Sequence, residues 1–505
     1  MTDDATPLAF EHTPSRHRFR RAAVSVANAV TDGPSAVGVF VPSSGPVPRE
    51  LGLDRAALTA SGLEGKPGQT LTVPTSTGAM MVAVGVGDGA QVDAAELRNA
   101  AGAFARAAAS HERLAVLLEE IASISAESAA QAVTEGVLLA RYQFDILKSD
   151  SKAKPVRELT LIGADVEALN TGLERGVALA GATALARDLA NTPHNYLTAS
   201  RMAEIAGALG AELGFQVEVF DETQMAEMGI GGLLGVNAGS AEPPRLIKLS
   251  YSPTEAKGRL GMVGKGIMYD SGGLALKPGD AVHAAMKNDM SGAGAILAAV
   301  AALAETGART AVTGYLMCTD SMPSSTAMAM GDVITIRGGT TIEVVNTDAE
   351  GRLVMADGLV LAREDGHDAI IDIATLTGAC MRALGTEVAG VFGNNQDLVD
   401  QISTAGDLTD EPVWQLPLYK GYRKQLDSPV ADMKNLGYGE GGAITAALFL
   451  EEFVDDVPWA HIDMAGTALS TDGRPWHTPG CTGFGARLLV ELATSFSAPA
   501  DGGTR

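Results

Sequence analysis

Lys265, Asp270, Lys277, Asp289, Asp348, Glu350 and Arg352 stand in three segments that are otherwise apolar or glycine-rich. Carboxylates that fold into an interior must be neutralised, because an unpaired buried charge is very costly. One solution is internal ion pairing of the four acids with Lys265, Lys277 and Arg352. The other is metal. Four acids without a histidine or cysteine cluster make an oxygen-rich site suited to Mg2+, Mn2+ or carboxylate-bound Zn2+. Two close divalent ions bridged by carboxylates and a water would use about this many acids. Residue types and spacing leave both solutions open.

The elements that must position these residues alternate. Up to about residue 165, apolar runs at 36–41, 80–86 and 159–163 alternate with Ala-rich helical segments at 95–111 and 126–141. No set of acids, histidines or cysteines converges there. A helix over about 169–189 bridges to a second region. Strand-like runs there fall at 260–263, 311–318, 342–345, 369–374, 390–392 and 460–464, between helical stretches at 291–305, 353–364, 443–453 and 485–494. The pattern predicts an α/β chain of two domains. A smaller N-terminal α/β domain spans 1–168; a larger C-terminal domain spans 169–505, with a mostly parallel mixed sheet flanked by helices. Ligands of such sheets sit beyond the carboxyl ends of the strands, where the charged segments fall. Lys265 is expected just after a strand and Asp289 near a helix N-terminus, which favours negative charge. If the chain stays extended past Asn346, Asp348, Glu350 and Arg352 share one face.

Length and composition fit a folded protein of 505 residues with more than one core. Its three cysteines are far apart and form no CxxC pair, which speaks against a disulfide framework and for a reducing compartment. Cys318 and Cys380 read as small buried apolar residues. No apolar run is long enough to span a bilayer, and residues 1–21 show no secretory h-region. A cytoplasmic protein is expected, with the basic run at 17–21 forming a solvated helix face. The net charge of −24 repels phosphate backbones and attracts cations, so nucleic acid is disfavoured as a partner.

The octapeptide Asn346-Thr347-Asp348-Ala349-Glu350-Gly351-Arg352-Leu353 resembles the signature of the leucyl (cytosol) aminopeptidase family of dinuclear metallopeptidases. Residues 263–277 resemble its VGKGxxxDSGGxxxK segment and residues 374–379 its ATLTGA segment; 188–198, 443–447 and 459–463 resemble further family segments. The resemblance runs from about 185 to 497. It implies a metal-dependent aminopeptidase that releases leucine-like N-terminal residues from short peptides by a metal-activated water. Asp270 and Glu350 would bridge two divalent ions, Mn2+ or Zn2+ with Mg2+ or Co2+ as alternatives. Lys265 and Asp289 would complete one metal site and Asp348 the other. Lys277 would hold the substrate carbonyl oxygen, and Arg352 a bicarbonate that carries the proton. Met286, Asn346, Thr375 and Gly378 would line the substrate pocket. His461 and Asp463 would support the site by hydrogen bonds. The family also implies a homohexamer, with the N-terminal domain serving assembly.

Departures from the family pattern lie beside the pocket. The segment between Lys277 and Asp289 is one residue longer, the residues before Met322-Pro323 differ, and Ala327 to Asp332 lacks the Arg-Pro before Gly-Asp. His283, in the lengthened loop, is expected to face solvent. The rival readings are a dipeptidase or amide hydrolase restricted by these loops, and a family member with an added DNA-binding role.

Overall fold

In the computed structural model, residues 10–499 are described except 31–32, 76–77, 119–122 and 152–153, along with all but the side chains of His17, Arg20 and Arg21. The acidic start of the N-terminal segment lies outside the described residues.

Two compact units divide the chain. One holds Thr13–Leu185 and Ser470–Gly480; the other holds Ala186–Leu469, the segment ending at His12 and the chain from Cys481. The division therefore falls not at 168/169 but inside the helix Val166–Asn191. Leu169, Leu173 and Ala180 of that helix, and Trp476 from the returning segment, are buried in the N-terminal unit's core, which draws them to that side.

The N-terminal unit is built on a sheet of β1 (Ala23–Ala27), β2 (Ala36–Pro42), β3 (Thr70–Pro74), β4 (Met80–Gly87), β5 (Arg113–Leu117) and β6 (Glu158–Ile162). Their order is β1-β6-β5-β2-β4-β3, parallel except for the β3–β4 pair. The helix Ala94–Ala107 starts at a capping box in which Asp93 and Glu96 satisfy each other's backbone N–H groups. It packs with Ala126–Ala140 on one face of the sheet. Between these helices Arg98 and Glu135 form a fully buried ion pair at 2.7 Å. Arg18, expected on a solvated face, pairs with Asp145 at 2.5 Å.

The larger unit has an eight-stranded mixed sheet, ordered β15-β14-β17-β13-β9-β10-β8-β7. Its strands are β7 (Gln216–Phe220), β8 (Arg245–Tyr251), β9 (Gly258–Asp270), β10 (Thr310–Ser321), β13 (Ala369–Ala374), β14 (Ala389–Gly393), β15 (Val413–Gln415) and β17 (Trp459–Asp463). A small side sheet pairs β11 (Val333–Thr335), β12 (Thr341–Glu343) and β16 (Met433–Lys434). The parallel core β17-β13-β9-β10 carries the charged segments at its carboxyl ends. The edge strand β7 and its neighbour β8 escape the apolar-run reading because Glu218 and Lys248 interrupt them.

Strand β9 is far longer than the run 260–263. Its glycines lower the apolar signal, yet they are there for packing: a Cβ on Gly264 would lie 2.7 Å from the Ala293 backbone. That contact seats the helix Ser291–Leu303, every residue of which is buried. Val263 meets the opposite face, where the helix Gly351–Glu364 packs through Gly358. Neighbouring residues of β9 thus serve both helical layers, as strand alternation requires.

Candidate metal centre

Because β9 continues to Asp270, Lys265 sits inside the strand rather than after it, on the face that Val263 presents to the helix Gly351–Glu364. That helix can start over the lysine only with a glycine: a Cβ on Gly351 would be 2.6 Å from Lys265 Cε. The octapeptide does not stay extended. Asn346 Oδ1 accepts from the Asp348 N–H at 2.9 Å, an Asx turn that bends the chain at Thr347–Asp348. Glu350 then stands at the helix N-terminus and Arg352 in its first turn, so the three charged residues share a site without sharing a strand face. Thr347 Oγ1 donates to Gly272 O at 2.7 Å and accepts from Ala275 N–H at 2.8 Å, tying this turn to the loop after Asp270. Asp289 follows a short 3₁₀ turn, Met286–Asn288, and precedes the helix Ser291–Leu303.

The charges converge. One oxygen each from Asp270, Asp289 and Glu350, all buried, lie within 4.8 Å of one another. Lys265 Nζ lies 2.8 Å from Asp289 Oδ2 and 2.9 Å from Glu350 Oε1, and donates to Thr375 O at 3.1 Å. Lys277 Nζ lies 2.8 Å from Asp270 Oδ2 and 2.5 Å from Asp348 Oδ1. Both solutions left open by the sequence thus meet in one place: the ion pairs form, and the four acids still outnumber the two lysines they share.

Electrostatics record that imbalance. Burial pushes Asp289 up to about 8; Lys265 opposes the shift, while Asp270 and Glu350 add to it. Burial likewise raises Glu350, with Asp270 reinforcing it, and raises Asp348 against the bond from Lys277. Burial alone would lower Lys265, but Asp289, Glu350 and Asp270 outweigh it and hold the ammonium charged. Arg352 is 4% exposed and is pushed down to about 10 by burial, against Glu350 and Asp463. Glu350 Oε2 and the Nε and Nη1 atoms of Arg352 are buried without hydrogen-bond partners among the described residues.

Buried, mutually repelling carboxylates with an unpartnered oxygen fit a divalent cation bound through oxygen. Lys265 fits as a ligand only as a neutral amine, and a nearby dication would reverse the acids' effect on it. The unpartnered Nε and Nη1 of Arg352 fit a small anion.

Thr375 Oγ1 donates to Asp289 Oδ1 at 2.7 Å, so this residue orients an acid of the centre as well as lying beside it. Met286 and Asn346 are half-buried in the segments that carry Asp289 and Asp348, and Gly378 is exposed at the start of the helix Gly378–Leu384. His283 is half-buried, its ring centroid 5.8 Å from that of Tyr269.

The supporting residues extend beyond those singled out from sequence. His461 Nδ1 meets Asp372 Oδ1 at 2.5 Å, and Trp459 Nε1 donates to Asp372 Oδ2 at 2.8 Å. Burial would lower His461, but Asp372 and then Asp463 raise it. Asp463 takes the Thr377 hydroxyl at 2.6 Å and the Leu376 and Thr377 N–H groups at 3.3 Å, fixing the turn after β13. Asp372 carries a sequence signal, an acid inside the apolar strand Ala369–Ala374. Asn435 carries none, although its side chain touches the octapeptide.

Residues 184–490 match the cytosol aminopeptidase family, catalytic domain, and residues 52–151 its N-terminal domain. The chain belongs to the cytosol aminopeptidase family. It is 43% identical over 465 residues to a probable cytosol aminopeptidase of Streptomyces coelicolor, covering 87% of this chain and 89% of that one. A probable cytosol aminopeptidase of Chlorobaculum tepidum is 46% identical over 385 residues, 74% of this chain and 76% of the relative. Among solved structures, a substituted form of tomato leucine aminopeptidase aligns with a TM-score of 0.85 at 32% identity, covering 94% and 96% of the two chains. The bottromycin maturation enzyme BotP in complex with Mn aligns with a TM-score of 0.85 at 36% identity, covering 91% and 99%. As a member of this family the protein is a metal-dependent aminopeptidase, a hydrolase of peptide bonds. Among its described residues no helix is long and apolar enough to cross a membrane.

Proposed function

We propose that this enzyme releases leucine-like N-terminal residues from short peptides at the carboxylate centre described above. The convergence of Asp270, Asp289 and Glu350 within 4.8 Å carries the reading. Asp270, Glu350, Asp289, Asp348 and a neutral Lys265 would hold the divalent ions. When bound, such ions would supply a water acidic enough to attack a carbonyl near neutral pH. BotP was solved with Mn, so Mn2+ is the first ion to test, with Zn2+ as the alternative and Mg2+ or Co2+ after them.

The chain's own residues do the rest. Lys277 keeps its charge because Asp270 and Glu350 outweigh the cost of its burial. At 17% exposure it lies where a substrate can reach it. There it holds the scissile carbonyl oxygen and stabilises the negative charge that develops on it. Arg352, with buried guanidinium nitrogens free to bond an anion, would hold a bicarbonate, which when bound would supply the general base for the proton that passes from water to the leaving amine. Asp289, oriented by Thr375, receives the free α-amine of the peptide, which restricts cleavage to the N-terminus. Met286, Asn346, Thr375 and Gly378 surround the first side chain. A cytoplasmic homohexamer belongs to the same reading.

The test is release of leucine from Leu-p-nitroanilide and Leu-Gly after loading with Mn2+, Zn2+ or Co2+; no turnover of any aminoacyl substrate under these conditions sinks it. A second reading, a peptidase restricted to one specialised substrate, is favoured by the altered loops and by the likeness to a maturation enzyme. A dipeptide panel separates them: broad turnover of Leu and Met substrates supports the first, a single accepted substrate the second.

A further inference from the structure

Asn435 follows β16 and is fully buried, its own N–H donating to Glu343 O at 3.0 Å to extend the pairing with β12. The hydrogen bonds of its carboxamide go to backbone groups. Oδ1 accepts from Val345 N–H at 2.9 Å and Asn346 N–H at 3.3 Å. Nδ2 donates to Asn346 O at 2.7 Å and Ala349 O at 3.3 Å. A carboxamide offers two lone pairs and two donor hydrogens, and all four are spent on the backbone entering and leaving the Thr347–Asp348 turn. The bonded groups bracket Asp348 and end one residue before Glu350.

We infer that Asn435 is a positioning residue of the metal centre: by clamping the octapeptide backbone on both sides of the turn it sets where Asp348 and Glu350 present their carboxylates. The inference rests on reading those two acids as metal ligands. Backbone amides in such a turn have no ladder partner, and burial without one is costly. Thr347 fixes the turn to the Asp270 loop from one side; Asn435 fixes it from the other. Supporting partners of metal ligands govern affinity and activity by roughly 10- to 100-fold.

The test compares Asn435→Ala, Asn435→Asp and Ser428→Ala in the full-length protein. Ser428 tethers the same neighbourhood, its hydroxyl donating to Glu343 Oε2 at 2.6 Å rather than to the octapeptide. Mn2+ affinity is measured by calorimetry, kcat and KM on Leu-p-nitroanilide, and melting temperature on the metal-free protein. Asn435→Ala is expected to weaken Mn2+ binding roughly 10- to 100-fold and to lower kcat at limiting Mn2+, with partial recovery at excess Mn2+ and little change in KM. Asn435→Asp keeps the acceptor half and loses the donors to Asn346 and Ala349, so it should fall in the same direction and serves if the alanine variant does not fold. Ser428→Ala should leave Mn2+ affinity unchanged. A lowered melting temperature with unsubstituted-level Mn2+ affinity and kcat in both Asn435 variants overturns the inference. Failure of the unsubstituted protein to take up Mn2+ instead defeats the metal-centre reading.

Discussion

Each unit of this chain buries charge, and they do so differently. In the N-terminal unit Arg98 meets Glu135 one to one at 2.7 Å, and Gln131 Nε2 donates to the second carboxylate oxygen at 2.9 Å. The larger unit sets Asp270, Asp289, Asp348 and Glu350 against Lys265, Lys277 and Arg352, one negative charge too many. The matched pair holds two helices together. The mismatched set keeps acids repelling one another and leaves Glu350 Oε2 without a partner among the described residues, whereas both Glu135 oxygens are bonded. Buried charge alone does not mark a functional site; buried charge that its neighbours fail to neutralise does.

The contrast can be broken in order of expected effect. Glu350→Ala removes an acid from the mismatched set and should lower activity by more than the roughly 100-fold upper range for losing a supporting partner, while the metal-free protein melts no lower than the unsubstituted one. Residual activity within tenfold of the parent would place the chemistry elsewhere. Arg98→Ala strands a buried carboxylate and should cost about 3–5 kcal/mol in denaturant unfolding of the N-terminal unit, with Mn2+ affinity unchanged. A shift in metal binding on that substitution would erase the distinction between the units. Thr375→Val deletes the bond to Asp289 and should weaken Mn2+ binding roughly 10- to 100-fold, whereas Thr375→Ser keeps the hydroxyl and should stay close to the parent.

The smallest effect is a pH dependence. His461 has its folded pKa raised above the ordinary histidine value of about 6.5, chiefly by Asp372 against burial. Its stabilisation is therefore present in full below pH 6.5 and is lost as pH rises through the folded value. Asp372→Asn should lower metal-free stability most below pH 6.5, with the gap to the parent narrowing on the alkaline side. Equal gaps at pH 6 and pH 9 would show that the pair does not hold a proton.

Much of this site was legible because its chemistry is compressed into short segments. The octapeptide, the Lys265–Lys277 stretch and the residues around Asp289 each announce charge in apolar surroundings, and the resemblance ordered them. The strand β13 and the four flanking helices followed from apolar periodicity. The extent of β9 did not, since Gly261, Gly264 and Gly266 thin its hydrophobicity while allowing close approach of the His367 ring, the helix Ser291–Leu303 and the neighbouring strand β10 respectively. The bend at Thr347–Asp348 was missed because an extended and a turned octapeptide read alike until Asn346 closes the Asx turn. Asn435 was invisible for a related reason: a buried amide's partners are backbone groups, and no spacing in sequence points to them. The domain boundary moved because Trp476, far along the chain, packs into the N-terminal core.

The most direct test is elemental analysis of the purified enzyme combined with its activity on Leu-p-nitroanilide, taken on one sample titrated with Mn2+ after chelation. The account predicts uptake approaching two ions per chain, with activity rising and falling with occupancy. Full activity in chelated protein, or two bound ions with no aminoacyl hydrolysis, would contradict it.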